Sequence, residues 1–169
     1  DPGNVKLATQ VIVTLQTLGT AQSNDGDQLA AIESFQKAIE IGRQLLTRWP
    51  DQPHYCRDQV ISLNHLGLAF SKSGQLSEAR SAFEQALQYQ RPLARLYESD
   101  AETQSMLGGV LNNLGFLYKE LGDRRAAADA YAEAVKHQSM ATELAPRVAR
   151  YRDYLQKHRY NLDQMEGSS

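Results

Sequence analysis

Four histidines (His54, His65, His137 and His158) and a single cysteine, Cys56, are the side chains with the chemistry for metal ligation or nucleophilic attack. No two of the histidines form an HExxH pair, and one cysteine cannot complete a zinc set. No GxxxxGK[ST] loop cradles a phosphate, and a lone thiol near a helix start reads as a packed side chain. The sequence therefore points away from an enzyme and needs no cofactor or metal. What recurs instead is a carboxamide in a fixed setting: Asn112-Asn113-Leu114-Gly115 is matched by Asn64-His65-Leu66-Gly67, by Gln16-Thr17-Leu18-Gly19 and more weakly by Tyr160-Asn161-Leu162-Asp163. A carboxamide both donates and accepts, so it can bond to the backbone of an extended peptide whatever that peptide's side chains.

Each match lies 48 residues from the next. The same offset relates Gly26, Gly74 and Gly122; Ala31, Ala79 and Ala127; Phe35, Phe83 and Tyr131; and Ala38, Ala86 and Ala134. Such a period marks a repeat architecture. Within the middle unit, Leu63, Leu66, Gly67 and Phe70 trace one face of a helix. Gly74 stops that helix, and the second helix follows with Ala79, Phe83 and Ala86. Asp27 and Asp123 are placed to cap second helices, Ser99 with Glu102 fits a capping box for a first helix, and Pro53 and Pro146 suit first turns. Pro92 should kink the second helix of the middle unit. Gly108 and Gly109 make either a bend or room for a ligand backbone.

These residues resemble the tetratricopeptide repeat. Its pattern of Leu, Leu, Gly, aromatic, then Ala, aromatic, Ala is met by Leu63, Leu66, Gly67, Phe70, Ala79, Phe83 and Ala86, and by Leu111, Leu114, Gly115, Tyr118, Ala127, Tyr131 and Ala134. The first unit departs, with Gln22 at the aromatic position. The usual period is about 34 residues, so each helix here is longer by roughly 10 Å. Long units with an "NNLG" tetrad look like kinesin light chain repeats and like arrays attached to bacterial serine/threonine kinases of the planctomycete type. The resemblance implies an all-α, right-handed superhelix of three long helix pairs, about residues 3–50, 51–98 and 99–146, with a capping helix over 147–166, in one domain spanning 1–169. It also implies a non-catalytic module that binds a protein or peptide in the concave groove lined by first helices. The groove residues would be Gln16, Asn64, Leu68, Asn112, Asn113, Phe116, Lys119 and Tyr160. Asn112 is the candidate for gripping a partner's backbone, while Asn113, His65 and Asn161 are as apt to hold neighbouring helices in register. The Lys, Asn and Arg clamp of some family members is not reproduced: Gln16 and Thr20 stand at its opening positions, and Asn113 keeps one element.

The ends differ. Leu162 and Tyr151 keep the backward contacts of a first helix, while Arg159, Asp163 and Glu166 stand where forward apolar contacts belong, as in a solvent-facing cap. Arg147, Arg150, Arg152, Lys157 and Arg159 make that helix locally basic, most simply a solvated face. Val5, Leu7, Val11, Ile12, Val13 and Leu15 make the first helix apolar around much of its surface, which predicts upstream repeats or a homodimer through that helix. A structural role of that kind, or a sensor domain attached to an enzyme, are the alternatives to peptide binding. The start at Asp1-Pro2-Gly3-Asn4 and the end at Gly167-Ser168-Ser169 read as those of a piece cut from a longer protein. A net charge of −2 and a pI near 6.1 argue against nucleic acid as a partner. No run of 18 apolar residues is available for a membrane span, and the lone cysteine suggests a reducing, cytoplasmic setting.

Overall fold

In a computed structural model, residues 2–50 and 52–166 are described, residues 2–4 and 166 by their backbone only. The terminal segments Asp1 to Asn4 and Gly167 to Ser169 thus lie wholly or largely outside the described residues. Among the described residues there are seven helices and no strand: α1 (Pro2–Asn24), α2 (Gln28–Arg48), α3 (Pro53–Lys72), α4 (Leu76–Leu96), α5 (Ala101–Glu120), α6 (Arg124–Leu144) and α7 (Ala149–Glu166). The chain divides into two compact units, Asp1–Tyr89 and Gln90–Ser169, with the division inside α4.

Helix ends follow from a few residues. Gly26, Gly74 and Gly122 have φ of 90°, 79° and 79°, a left-handed conformation that closes α1, α3 and α5 at little steric cost. Asp27 and Asp123 then accept hydrogen bonds from the amides of Ala30 and Ala126, each at 3.0 Å, and start α2 and α6. The cap of α5 is Asp100 rather than Ser99: its carboxylate accepts from the Thr103 amide at 3.0 Å and from the Thr103 hydroxyl. A short acceptor one residue later serves equally well, and Thr103 supplies a second donor to it. Pro53 occupies the first turn of α3 as expected, but Pro146 lies in the turn before α7. Helix α4 runs unbroken through the exposed Pro92.

In the first unit α2 packs against both α1 and α3. Its face toward them is narrow because Ala31 and Ala38 are fully buried and carry only a methyl group. Phe35 fills the space between, and a Cβ on Gly19 would lie 2.7 Å from its ring. The same lock recurs at Gly67 against Phe83, at 2.6 Å, and in the second unit at Gly115 against Tyr131, at 2.7 Å. Each aromatic ring is 1% exposed. A larger residue at any of these glycines would push the ring out of its packing, which costs more than glycine's helix penalty of about 1 kcal/mol. In the second unit α6 packs against α5 and α7, and Tyr131 joins Ala127, Met165, Leu162 and Tyr118 in one core.

The two adjacent glycines of α5 have separate roles. A Cβ on Gly108 would stand 3.1 Å from the Ala134 carbonyl, so Gly108 lets α5 approach the backbone of α6. Gly109 has nothing within 4 Å of that position.

Candidate peptide-binding surface

The carboxamide row is positioned by the first helix of each pair, and Gln16 and Asn112 point into the seam between neighbouring first helices of their own units. Gln16 is only 9% exposed. Its Nε2 donates to the Asp58 carbonyl at 3.1 Å and to the Ser62 hydroxyl at 2.9 Å, which ties α1 to α3. In the second unit Asn112 is 5% exposed, and its Oδ1 accepts from Asn161 Nδ2 at 2.8 Å, which ties α5 to α7. Asn112 thus differs from its expectation. It takes the register role with Asn161, because a buried carboxamide at a helix seam is satisfied by its counterpart across that seam. Asn64 and Asn113 are half-buried, and each has an interaction partner.

What the same helix faces leave open is a mixture of apolar, polar and charged side chains. In the second unit Phe116 of α5 is 48% exposed and Tyr160 of α7 is 62% exposed, with Lys119 exposed one turn after Phe116. In the first unit Leu68 is half-buried, and Val13 lines an open depression with Lys6, Gln10 and His54.

The titratable groups serve packing. Burial pushes the imidazole of His158 down to about 4, with a partly opposing hydrogen bond to the Ala134 backbone. Burial also lowers His65, whose ring lies 5.4 Å from Phe35, and His137, whose Nδ1 sits 2.8 Å from Gln104 Oε1. The Cys56 thiol is pushed up by burial, which disfavours the thiolate that nucleophilic chemistry needs. Glu133 is held below the usual carboxylate range by its bidentate pairing with Arg91. No group of three or more His, Cys, Asp or Glu side chains able to hold a metal occurs among the described residues. None of their helices is long and apolar enough to cross a membrane. On α7, Arg150 lies 3.9 Å from Glu102, and Arg152 donates to the Pro146 carbonyl, so part of its basic charge is used locally.

Sequence reasoning missed a set of buried glutamines. Gln138 is 0% exposed. Its Nε2 donates to the Tyr151 carbonyl at 3.0 Å, and its Oε1 accepts from the Ser105 hydroxyl at 3.0 Å, so one side chain on α6 links α5 and α7. Gln90, one repeat earlier, donates to the Thr103 carbonyl at 2.7 Å in the same way. Gly42 holds that position in the first unit, and Gln59 of α3 fills the space, its Oε1 standing 2.3 Å from where a Cβ would be. The signal was present: the Gly42, Gln90 and Gln138 series obeys the repeat offset.

The tetratricopeptide repeat model matches residues 13–44, 60–92 and 109–137, together more than half of the chain. The chain belongs to the tetratricopeptide repeat family, whose members generally mediate protein–protein interaction. None of the curated proteins matches it. Among solved structures it is similar to BtubC (BKLC) from P. vanneervenii, with 14% identity and a TM-score of 0.47 over 98% of this chain and 73% of that one. A tetratricopeptide repeat protein from Parabacteroides merdae gives 18% identity and a TM-score of 0.35 over 94% and 68%. The MamA protein gives 15% identity and a TM-score of 0.32 over 95% and 97%.

Proposed function

We propose that this chain is a non-catalytic interaction module that binds an extended segment of a partner protein along the exposed face of its first helices. In the second unit the contact strip is Phe116, Lys119 and Tyr160, with Asn113 at its edge. In the first unit Leu68, beside Asn64, offers a shorter strip. The observation that carries this reading is the exposure of two aromatic side chains, Phe116 and Tyr160, on helices whose neighbouring carboxamide, Asn112, is buried in the scaffold. Large aromatic rings left in water beside a fixed polar seam are the residues that supply most binding energy at interfaces. Asn112 and Gln16 then contribute by holding the helix spacing that presents the strip.

The test is selection of binding peptides from a displayed random library on the intact chain, followed by titration against variants. Phe116→Ala with Tyr160→Ala should weaken selected peptides by about tenfold or more, as truncated hot-spot aromatics do, with an unchanged circular dichroism spectrum. Peptides that bind this double variant as tightly as the parent chain would sink the reading.

A further inference from the structure

Leu7, Val11, Thr14 and Leu18 step along α1 by four, three and four residues and so share one face. Leu7 is 57% exposed, Val11 38% and Leu18 47%. Between Val5 and Asn24 the helix carries one charged residue, Lys6. One repeat later the same four positions are Tyr55, Gln59, Ser62 and Leu66 of α3, and there they are 5%, 3%, 1% and 7% exposed. What covers them is α2. Tyr55 shares a core with Ala38 and Leu45, Leu66 shares one with Ala31 and Phe35, and Gln59 enters the gap left by Gly42. In the second unit, α7 turns the same face to α6: Tyr151 accepts from Gln138, His158 meets the Ala134 backbone, and Leu162 packs on Tyr131. This face of a first helix is therefore the seat for the second helix of the preceding pair. On α1 the seat is built and open.

We infer that α1 stacks against the second helix of a further helix pair of this repeat type, joined directly ahead of α1. The chemistry of that helix follows from α2: small residues at the spacing of Ala31, Ala38 and Gly42 for close approach, and an aromatic between them. A second copy of this chain fits the seat less well. The ridge residues of its own second helices, including Ala31, Ala79 and Ala127, are 0% exposed, so a copy has no open ridge of this type to offer. The proposal goes beyond peptide binding, since it concerns how α1 is covered and leaves Phe116 and Tyr160 untouched.

The experiment places a second copy of residues 3–50 directly ahead of residue 3, which preserves the 48-residue register. Hydrogen exchange of the original α1 amides is compared with that in the chain as it stands. Covering the seat should slow their exchange by about tenfold or more, as burial raises the free energy of local opening. Leu18→Glu in the original α1 should cancel that protection in the extended chain and leave exchange in the parent chain nearly unchanged. Equal exchange in the two chains overturns the proposal. So does light scattering that finds the parent chain a stable dimer which Leu18→Glu splits, because the seat then belongs to a second copy.

Discussion

Helices α1 and α7 occupy equivalent repeat positions at opposite ends of the chain, and their outer surfaces differ in kind. On α7, Arg150, Arg152, Asp153, Lys157, Arg159 and Asp163 are exposed together with the amphipathic Tyr154 and Tyr160, while Tyr151, His158 and Met165 are buried. On α1, Leu7, Val11, Val13 and Leu18 are exposed, and only Lys6 is charged. Both helices bury one side against their own pair or its neighbour; the difference is confined to the side that no described helix covers. A repeat helix left facing water needs polar residues there, and a helix that another repeat will cover does not. The free sides of the two helices thus differ in polarity on the same backbone, and the proposed stacking partner of α1 accounts for the apolar one.

The largest effect that sharpens the comparison is at a single repeat position. Leu18, Leu66, Leu114 and Leu162 are one repeat apart, and Leu114 is 5% exposed. Leu114→Ala removes three buried carbon atoms and leaves a cavity, which should cost about 3 kcal/mol. Urea denaturation of the full chain reads this directly as a drop in midpoint at constant slope. A loss under about 1 kcal/mol would mean that the face is less tightly packed than its burial indicates.

The repeat and the helix pairs were legible because they depend on spacing, and spacing survives in sequence. The direction of the carboxamides was not. Position 112 lies one residue, about 100° of helix rotation, from both buried Leu111 and Asn113, so a pattern cannot say whether it meets solvent or the seam beside it. Asn112 meets the seam because Asn161 is there to pair with it, a fact that depends on the crossing of two helices. The buried glutamines escaped notice for a related reason. Gln138 is as polar as a surface residue, and only the carbonyl of Tyr151 and the hydroxyl of Ser105 make its burial tolerable. The start of α7 at Ala149 rather than at 147 reflects Pro146 sitting in a turn instead of the first helical turn.

That glutamine supplies the next test, because α7 is joined to its neighbours by a polar latch as well as by packing. Gln138→Ala leaves the Tyr151 carbonyl and the Ser105 hydroxyl without their partner, and should cost about 2 kcal/mol. The loss should appear as faster hydrogen exchange in α7 than in α1. Equal acceleration in both helices would show that the latch does not act locally.

Acid should loosen the α7 end through His158. Its folded value of about 4 lies below the ordinary 6.5, because burial against α6 disfavours the imidazolium and Lys157 adds repulsion. The neutral ring is the form that packs. Stability is therefore full above about pH 6.5 and declines as the pH falls from there toward about 4. The loss should be about 1–2 kcal/mol after allowance for screening by solvent. His65 and His137 act in the same direction with depressed values of their own. A series of urea midpoints from pH 7 to pH 4 should slope less steeply in His158→Gln than in the parent chain; parallel slopes would assign the acid sensitivity elsewhere.

The smallest expected effect is the most discriminating for the comparison of ends. Leu18 has the same residue type, helix position and repeat register as Leu114, yet it is 47% exposed. Leu18→Ala removes contacts that are already half in water and leaves no cavity, so it should change the stability of the chain by less than about 0.5 kcal/mol. Alanine's helix propensity, slightly better than leucine's, works against even that loss. The ratio between the Leu114→Ala and Leu18→Ala effects then compares the energy of this repeat position where it is buried with its energy where it is exposed. If Leu18→Ala cost as much as Leu114→Ala in a monomeric chain, the exposed side of α1 would already be supporting the fold, and the contrast between the buried and the exposed copy of this position would fail.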